Sequence, residues 1–113
     1  MRRMFRWLKD MWWACVYILQ KARRGYSDYE VFELGSCVRE WALPRLKAYR
    51  AGLDGNPASI TYEEWEHILD EMIWAFQRVH DDENDGPYLT PGEYDRVQEG
   101  HELFGKWLQA LWN

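Results

Sequence analysis

The chain predicts an all-α protein, a compact antiparallel four-helix bundle built from residues 1 to 113 as a single helical domain. Three observations carry that expectation. Apolar residues recur at spacings of three and four in four successive segments, three of those segments open on Ser or Thr with Glu three residues later, and the connections between them are short.

The first helix is expected over residues 3 to 24. Met4, Leu8, Met11, Trp12, Cys15, Ile18, Leu19 and Ala22 form its core stripe, and Gly25 supplies a left-handed stop. Arg6, Trp13, Tyr17, Gln20 and Arg24 line up on the opposite, outer face at ideal helical spacing. The second helix, 28 to 50, starts from a Ser27/Glu30 capping box. Its wide stripe runs from Val31 and Leu34 through Val38, Trp41 and Ala42 to Tyr49, broadened by Phe32, Leu43 and Leu46. Pro44 removes a backbone hydrogen bond there and predicts a kink or split near Glu40 to Leu43. Arg45 falls on the apolar side, so it needs an acidic partner or must turn its stem to water.

The third helix, 62 to 80, is the most regular. Thr61 and Glu64 form a second capping box, and Trp65, Ile68, Leu69, Met72, Ile73, Phe76 and Val79 share one side. Trp74 falls nearly opposite them, near His67 and Arg78. An acidic loop, residues 80 to 88, leads to a third box at Thr90/Glu93. The fourth helix, 91 to 112, then carries Tyr94, Val97, His101, Phe104, Leu108, Leu111 and Trp112, with Gly100 and Gly105 permitting close approach of a neighbour.

The net charge of −5 conceals an asymmetry: residues 1 to 52 are net +6 and residues 53 to 113 net −11. Complementary halves of this kind attract, and the acidic half argues against generic nucleic-acid binding. Cys15 and Cys37 have no metal-ligand spacing and read as buried free thiols, with a single disulfide the alternative. The apolar run from Met11 to Leu19 is far below the roughly 20 residues of a membrane span, and no signal peptide is read. His67, His80 and His101 lie on different faces, so no metal and no other cofactor is expected, and His101 reads as a core histidine. Asp81 to Gly86 has the opening of a calcium loop, but Gly92 stands where the bidentate Glu would be. No nucleophile elbow, phosphate loop or HExxH occurs, and an enzyme is not expected.

Two aromatic and basic stripes remain as candidate sites. Arg6, Trp13, Tyr17 and Arg24 on the first helix, and Trp74 with His67 and Arg78 on the third, could stack on a base and pair with phosphate, with Arg45 as a further cation. The same residue types anchor subunit interfaces, so a homo-oligomer is the competing account. A membrane-surface role for residues 1 to 24 is a third reading, weighed down by the core stripe which that helix would already bury.

Residues 23 to 112 resemble a family of small helical bacteriophage proteins. The resemblance rests on the Arg24-Gly25-Tyr26-Ser27-Asp28 turn, the Leu43-Pro44-Arg45-Leu46 step, Glu64-Trp65, the run from Ile68 to Met72, and Leu111-Trp112. It implies a phage accessory protein acting in the bacterial host cytoplasm and transfers no catalytic residues. The expected function is stoichiometric binding, in its most concrete form a counter-defence sponge that sequesters a nucleotide immune signal. A helical inhibitor or adaptor of a host protein, and a minor virion or structural component, are the alternatives.

Overall fold

The structure is a computed structural model that describes residues 2–112, with side chains from Phe5 to Trp112. It is all-helical, with no strand among the described residues. In chain order the helices are α1 (Arg2–Arg24), α2 (Asp28–Phe32), α3 (Leu34–Ala51), α4 (Tyr62–Glu83) and α5 (Pro91–Trp107), followed by a 3₁₀ turn at Leu108–Ala110. Contacts gather in two compact units, residues 1–37 and 38–113.

The second unit holds the core. Trp65, Leu69, Met72, Ala75 and Phe76 of α4 are buried with Ala42, Leu43 and Leu46 of α3, and Leu103, Phe104 and Trp107 of α5 pack against them. The polar contacts give the directions of the helices. Arg39 meets Glu83, Lys47 meets Gln77, and Arg50 meets Asp70 and Glu66, so α3 and α4 run antiparallel. Arg78 meets Glu93, Glu71 meets Arg96 and Trp65 meets Trp107, so α4 and α5 do as well. The attraction between basic and acidic halves is therefore realised on α3, where Arg39 and Arg50 meet Glu83, Glu66 and Asp70 of α4.

The three capped helix starts and the Gly25 stop follow the sequence closely. Glu30 N–H donates to Ser27 Oγ while Ser27 N–H donates to Glu30 Oε2, and Thr90 and Glu93 repeat the exchange. At Thr61 only half of the box forms: Glu64 N–H donates to the hydroxyl, which itself donates to the Glu64 carboxylate at 3.2 Å. Gly25 has φ +89 and its N–H donates to the Lys21 carbonyl, the left-handed stop expected of it.

Three expectations are corrected. The segment 28 to 50 is divided at Glu33, whose φ of −106° and ψ of 41° end α2; Pro44 lies inside α3 and does not split it. Arg45, the residue after that proline, donates its guanidinium to the Trp41 carbonyl at 2.8 Å. The acidic loop is shorter than the sequence suggests, because α4 continues through Asp81, Asp82 and Glu83; the turn closes when Gly86 N–H donates to the Asp81 carbonyl at 2.7 Å. A Cβ at Gly86 would strike that same carbonyl, so glycine is required there. Finally, α5 ends at Trp107, and the tighter 3₁₀ turn shifts the phase of the last few residues. Trp107 packs edge-on to Trp65 at 5.6 Å, while Leu108 and Trp112 are exposed.

The first unit departs most from the expected bundle. α2 lies on the face of α1 that the sequence assigns to solvent. Gln20 exchanges two hydrogen bonds with Asp28, Arg24 pairs with Asp28, Lys21 pairs with Glu30, and Tyr17 packs on Tyr29 at 5.8 Å. The stripe assigned to a core is the exposed one: Leu8, Met11, Trp12 (67%), Cys15, Ile18 (66%) and Leu19 (68%). Met4 of that stripe lies outside the described side chains. The physical reason is that α2 spans only Asp28–Phe32 and offers α1 two carboxylates and a tyrosine, a partner suited to the basic, aromatic face and not to the apolar one.

Candidate functional site

The eight residues singled out in the sequence divide between the units, Arg6, Trp13, Tyr17 and Arg24 in the first and Arg45, His67, Trp74 and Arg78 in the second. Trp13 stacks on Tyr17 at 5.8 Å, and Tyr17 continues to Tyr29, a short aromatic ladder between α1 and α2. Arg24 is occupied in the same place. Its guanidinium lies 4.5 Å from the Tyr26 ring centroid, donates to the Tyr26 carbonyl and pairs with Asp28, whose carboxyl is held below its ordinary value chiefly by that hydrogen bond and then by Gln20. Arg6 remains exposed near the start of α1.

Arg45 turns its stem outward and stacks 4.3 Å from the Trp41 ring centroid. Arg78 is a structural residue. It donates to Glu93 at 2.8 Å and to the carbonyls of Pro87 and Tyr88, closing the α4–α5 connection. The Glu93 carboxyl is lowered from 4.5 to about 2, first by the Arg78 hydrogen bond and then by the Thr90 backbone amide. Trp74 is half-buried against the core, and the Arg96 guanidinium covers its ring at 3.8 Å while donating twice to Glu71. That carboxyl is lowered mainly by Arg96. His67 is exposed beside Glu63, Glu64 and Ile68. Each cation expected to meet phosphate, Arg6 excepted, already has a partner inside its own unit.

His101 lies against Phe76, ring centroids 5.4 Å apart, and its pKa is lowered chiefly by burial and then by the charge of Arg39. Its Nε2 has no hydrogen-bond partner among the described residues. Neither Cys15 nor Cys37 is in a disulfide, and Cys15 is exposed where the sequence suggests burial. Among the described residues no three His, Cys, Asp or Glu side chains come together as metal ligands.

Two features escape sequence reasoning. One is a cleft of about 560 Å³ in the second unit, walled by Tyr49, Trp65, Trp107 and Trp112, with Lys106, Asp54, Asn56 and Gln109 among its polar lining. Tyr49 reaches across to donate to the Trp112 carbonyl at 3.3 Å, and Lys106 Nζ stands 5.5 Å from the Trp107 ring centroid. Its walls come from three separated segments, and the 3₁₀ turn sets the position of the last, so no periodicity could announce it. The other is the bare face of α1. Its signal was present in the sequence as an apolar stripe, which by itself carries no information about what covers it.

The chain matches no family model, no curated protein and no solved structure. No helix among the described residues is long and apolar enough to cross a membrane.

Proposed function

We propose that this is a non-enzymatic accessory protein, of the phage kind its motifs resemble, that works by stoichiometric binding in the host cytoplasm. The second unit serves as a folded scaffold and α1 as the contact element. The observation that carries this reading is the inversion of α1: its polar face is fastened by α2, and its apolar arc, Trp7, Leu8, Met11, Trp12, Ile18 and Leu19, is left in solvent. Contiguous apolar surface of this extent is what interaction sites present. Closure of this face within a larger helical bundle, or by a homo-oligomer, would be one way to use it. A photo-crosslinking side chain placed at Leu8 or Ile18 in expressing cells should trap a partner, whereas the same probe at Gln20, beneath α2, should not. Equal yields at all three positions would overturn the reading.

The aromatic cleft supports a second reading, the sequestration of a nucleotide-type ligand. Tyr49, Trp107 and Trp112 offer stacking surfaces, Gln109 offers edge hydrogen bonds, Asn56 offers its amide oxygen while its amide nitrogen donates to the Pro57 and Ile60 carbonyls, and Lys106 offers one positive charge. The unit as a whole is net −8, which favours a nucleoside or a singly charged nucleotide over a polyphosphate. Calorimetry with mononucleotides and cyclic dinucleotides tests it. Heat that is unchanged in Trp112→Ala/Lys106→Ala, or no heat at all, removes this reading.

A further inference from the structure

We infer that the bare face of α1 docks on an anionic lipid surface, lying in the plane of the interface; the inference rests on the reading of α1 as the contact element and names its partner. The order of side chains around the helix carries it. At ideal helical spacing the middle of the apolar arc is aliphatic or thiol, Met11, Cys15, Leu8 and Leu19, all exposed. Aromatic rings stand toward its borders, Trp7 on one side and Trp12 with Phe5 on the other, also exposed. Cations stand at both borders, exposed Arg23 and Lys9 beside and past Phe5, and Lys21, which pairs with Glu30, past Trp7. Aliphatic centre, indole margins and outer ammonium groups match the three layers met at a membrane surface: acyl chains, the headgroup boundary and anionic headgroups.

Charge points the same way. Residues 5 to 24 carry five Lys/Arg and one Asp, and the first unit is net +3 against net −8 for the second. An anionic surface attracts the first and repels the second. α2 already satisfies Arg24 and Lys21 through Asp28 and Glu30, Arg6 points away from the arc, and exposed Lys9 and Arg23 at its Phe5 border remain for headgroups. Other occupants fit less well. A second copy in an isologous contact would bring the same cations together. A polypeptide groove takes a narrow row of anchors at helical spacing, whereas this arc occupies about half of the helix circumference.

Co-sedimentation of the full chain with vesicles tests the inference, using phosphatidylglycerol/phosphatidylethanolamine mixtures against pure phosphatidylcholine. Binding to the anionic vesicles is expected, at least about tenfold weaker on phosphatidylcholine and weakened by salt, as the headgroup attraction of several cations requires. Leu8→Glu/Leu19→Glu should abolish it and Lys9→Glu/Arg23→Glu should weaken it about tenfold or more, with circular dichroism confirming that both remain helical. Leu108→Glu, at an exposed position of the second unit, should bind as the parent does. No sedimentation, equal binding to both lipids, or undiminished binding by Leu8→Glu/Leu19→Glu overturns the inference. A polypeptide trapped at Leu8 without vesicle binding would overturn the lipid assignment and leave the contact reading standing; failure of both would remove the contact reading too.

Discussion

Replacing Gly100 by alanine puts a single methyl group at the closest approach of α4 and α5. A Cβ there would overlap the Ala75 Cβ and come within 2.9 Å of the Glu71 carbonyl oxygen. Neither atom can rotate away, since one is backbone and the other is fixed to it, so the two helices must separate. Overpacking of a tight contact costs about 1–3 kcal/mol, and the rigid obstacles place Gly100→Ala at the top of that range. Alanine recovers about 1 kcal/mol of helix propensity, which leaves a net loss of about 2 kcal/mol. That corresponds to a fall in Tm on the order of 10 °C for a domain of this size. Gly105, on the same helix, has nothing within 4 Å of its Cβ position, so Gly105→Ala should retain the propensity gain and stabilise by up to about 1 kcal/mol. Urea unfolding followed by far-ultraviolet circular dichroism reads both midpoints. Adding Ala75→Gly to Gly100→Ala should restore part of the loss, since it removes one of the two obstacles and leaves the carbonyl. If Gly100→Ala proved as stable as Gly105→Ala, the close packing of α4 on α5 would be refuted.

Further predictions concern caps, core and charge. Trp65→Ala, at 1% exposure, should cost about 3–5 kcal/mol, while Trp41→Ala, at 63%, should stay within about 0.5 kcal/mol; denaturant midpoints separate them. Ser27→Ala removes the side chain that closes its capping box and should cost about 1 kcal/mol, read the same way. Glu93 has its folded pKa lowered from 4.5 to about 2, so the stability it contributes is fully present above about 4.5 and is lost as pH falls through about 2. A carboxyl titration by NMR should show that low midpoint, and Arg78→Ala should move it back toward the ordinary glutamate range. His101 has its folded pKa lowered, so its imidazole disfavours folding once the unfolded chain begins to protonate near about 6.5. His101→Phe should therefore flatten the pH dependence of stability just below that value.

The helices were legible because their signals are local. The Ser27, Thr61 and Thr90 caps, the Gly25 stop and the Trp65, Leu69, Met72, Phe76 stripe depend on neighbours within one or two turns, and each lies where its sequence pattern puts it. What the stripes face is a long-range property. The apolar side of α1 has the periodicity of a core helix, yet the side that gains a neighbour is the one whose Gln20, Lys21 and Arg24 meet Asp28 and Glu30. The break at Glu33 carries no proline or glycine of its own to announce it. Candidate arginines were recognisable as partners for anions, but the anions they meet are the chain's own carboxylates: Asp28 for Arg24 and Glu93 for Arg78. The cleft beside Trp107 was hidden by the change from α to 3₁₀ geometry at Leu108.

That α1 turns its apolar face outward and its aromatic, basic face toward α2 is tested most directly by the thiol on the outward side. In a Cys37→Ser background at dilute, monomeric concentration, maleimide labelling reads Cys15 alone. Cys15 in the folded protein should label at close to the rate of the urea-unfolded chain and become protected when anionic vesicles are added. Slow labelling of the folded monomer, with the rate recovered only on unfolding, would place that face in a core and contradict the outward orientation of α1.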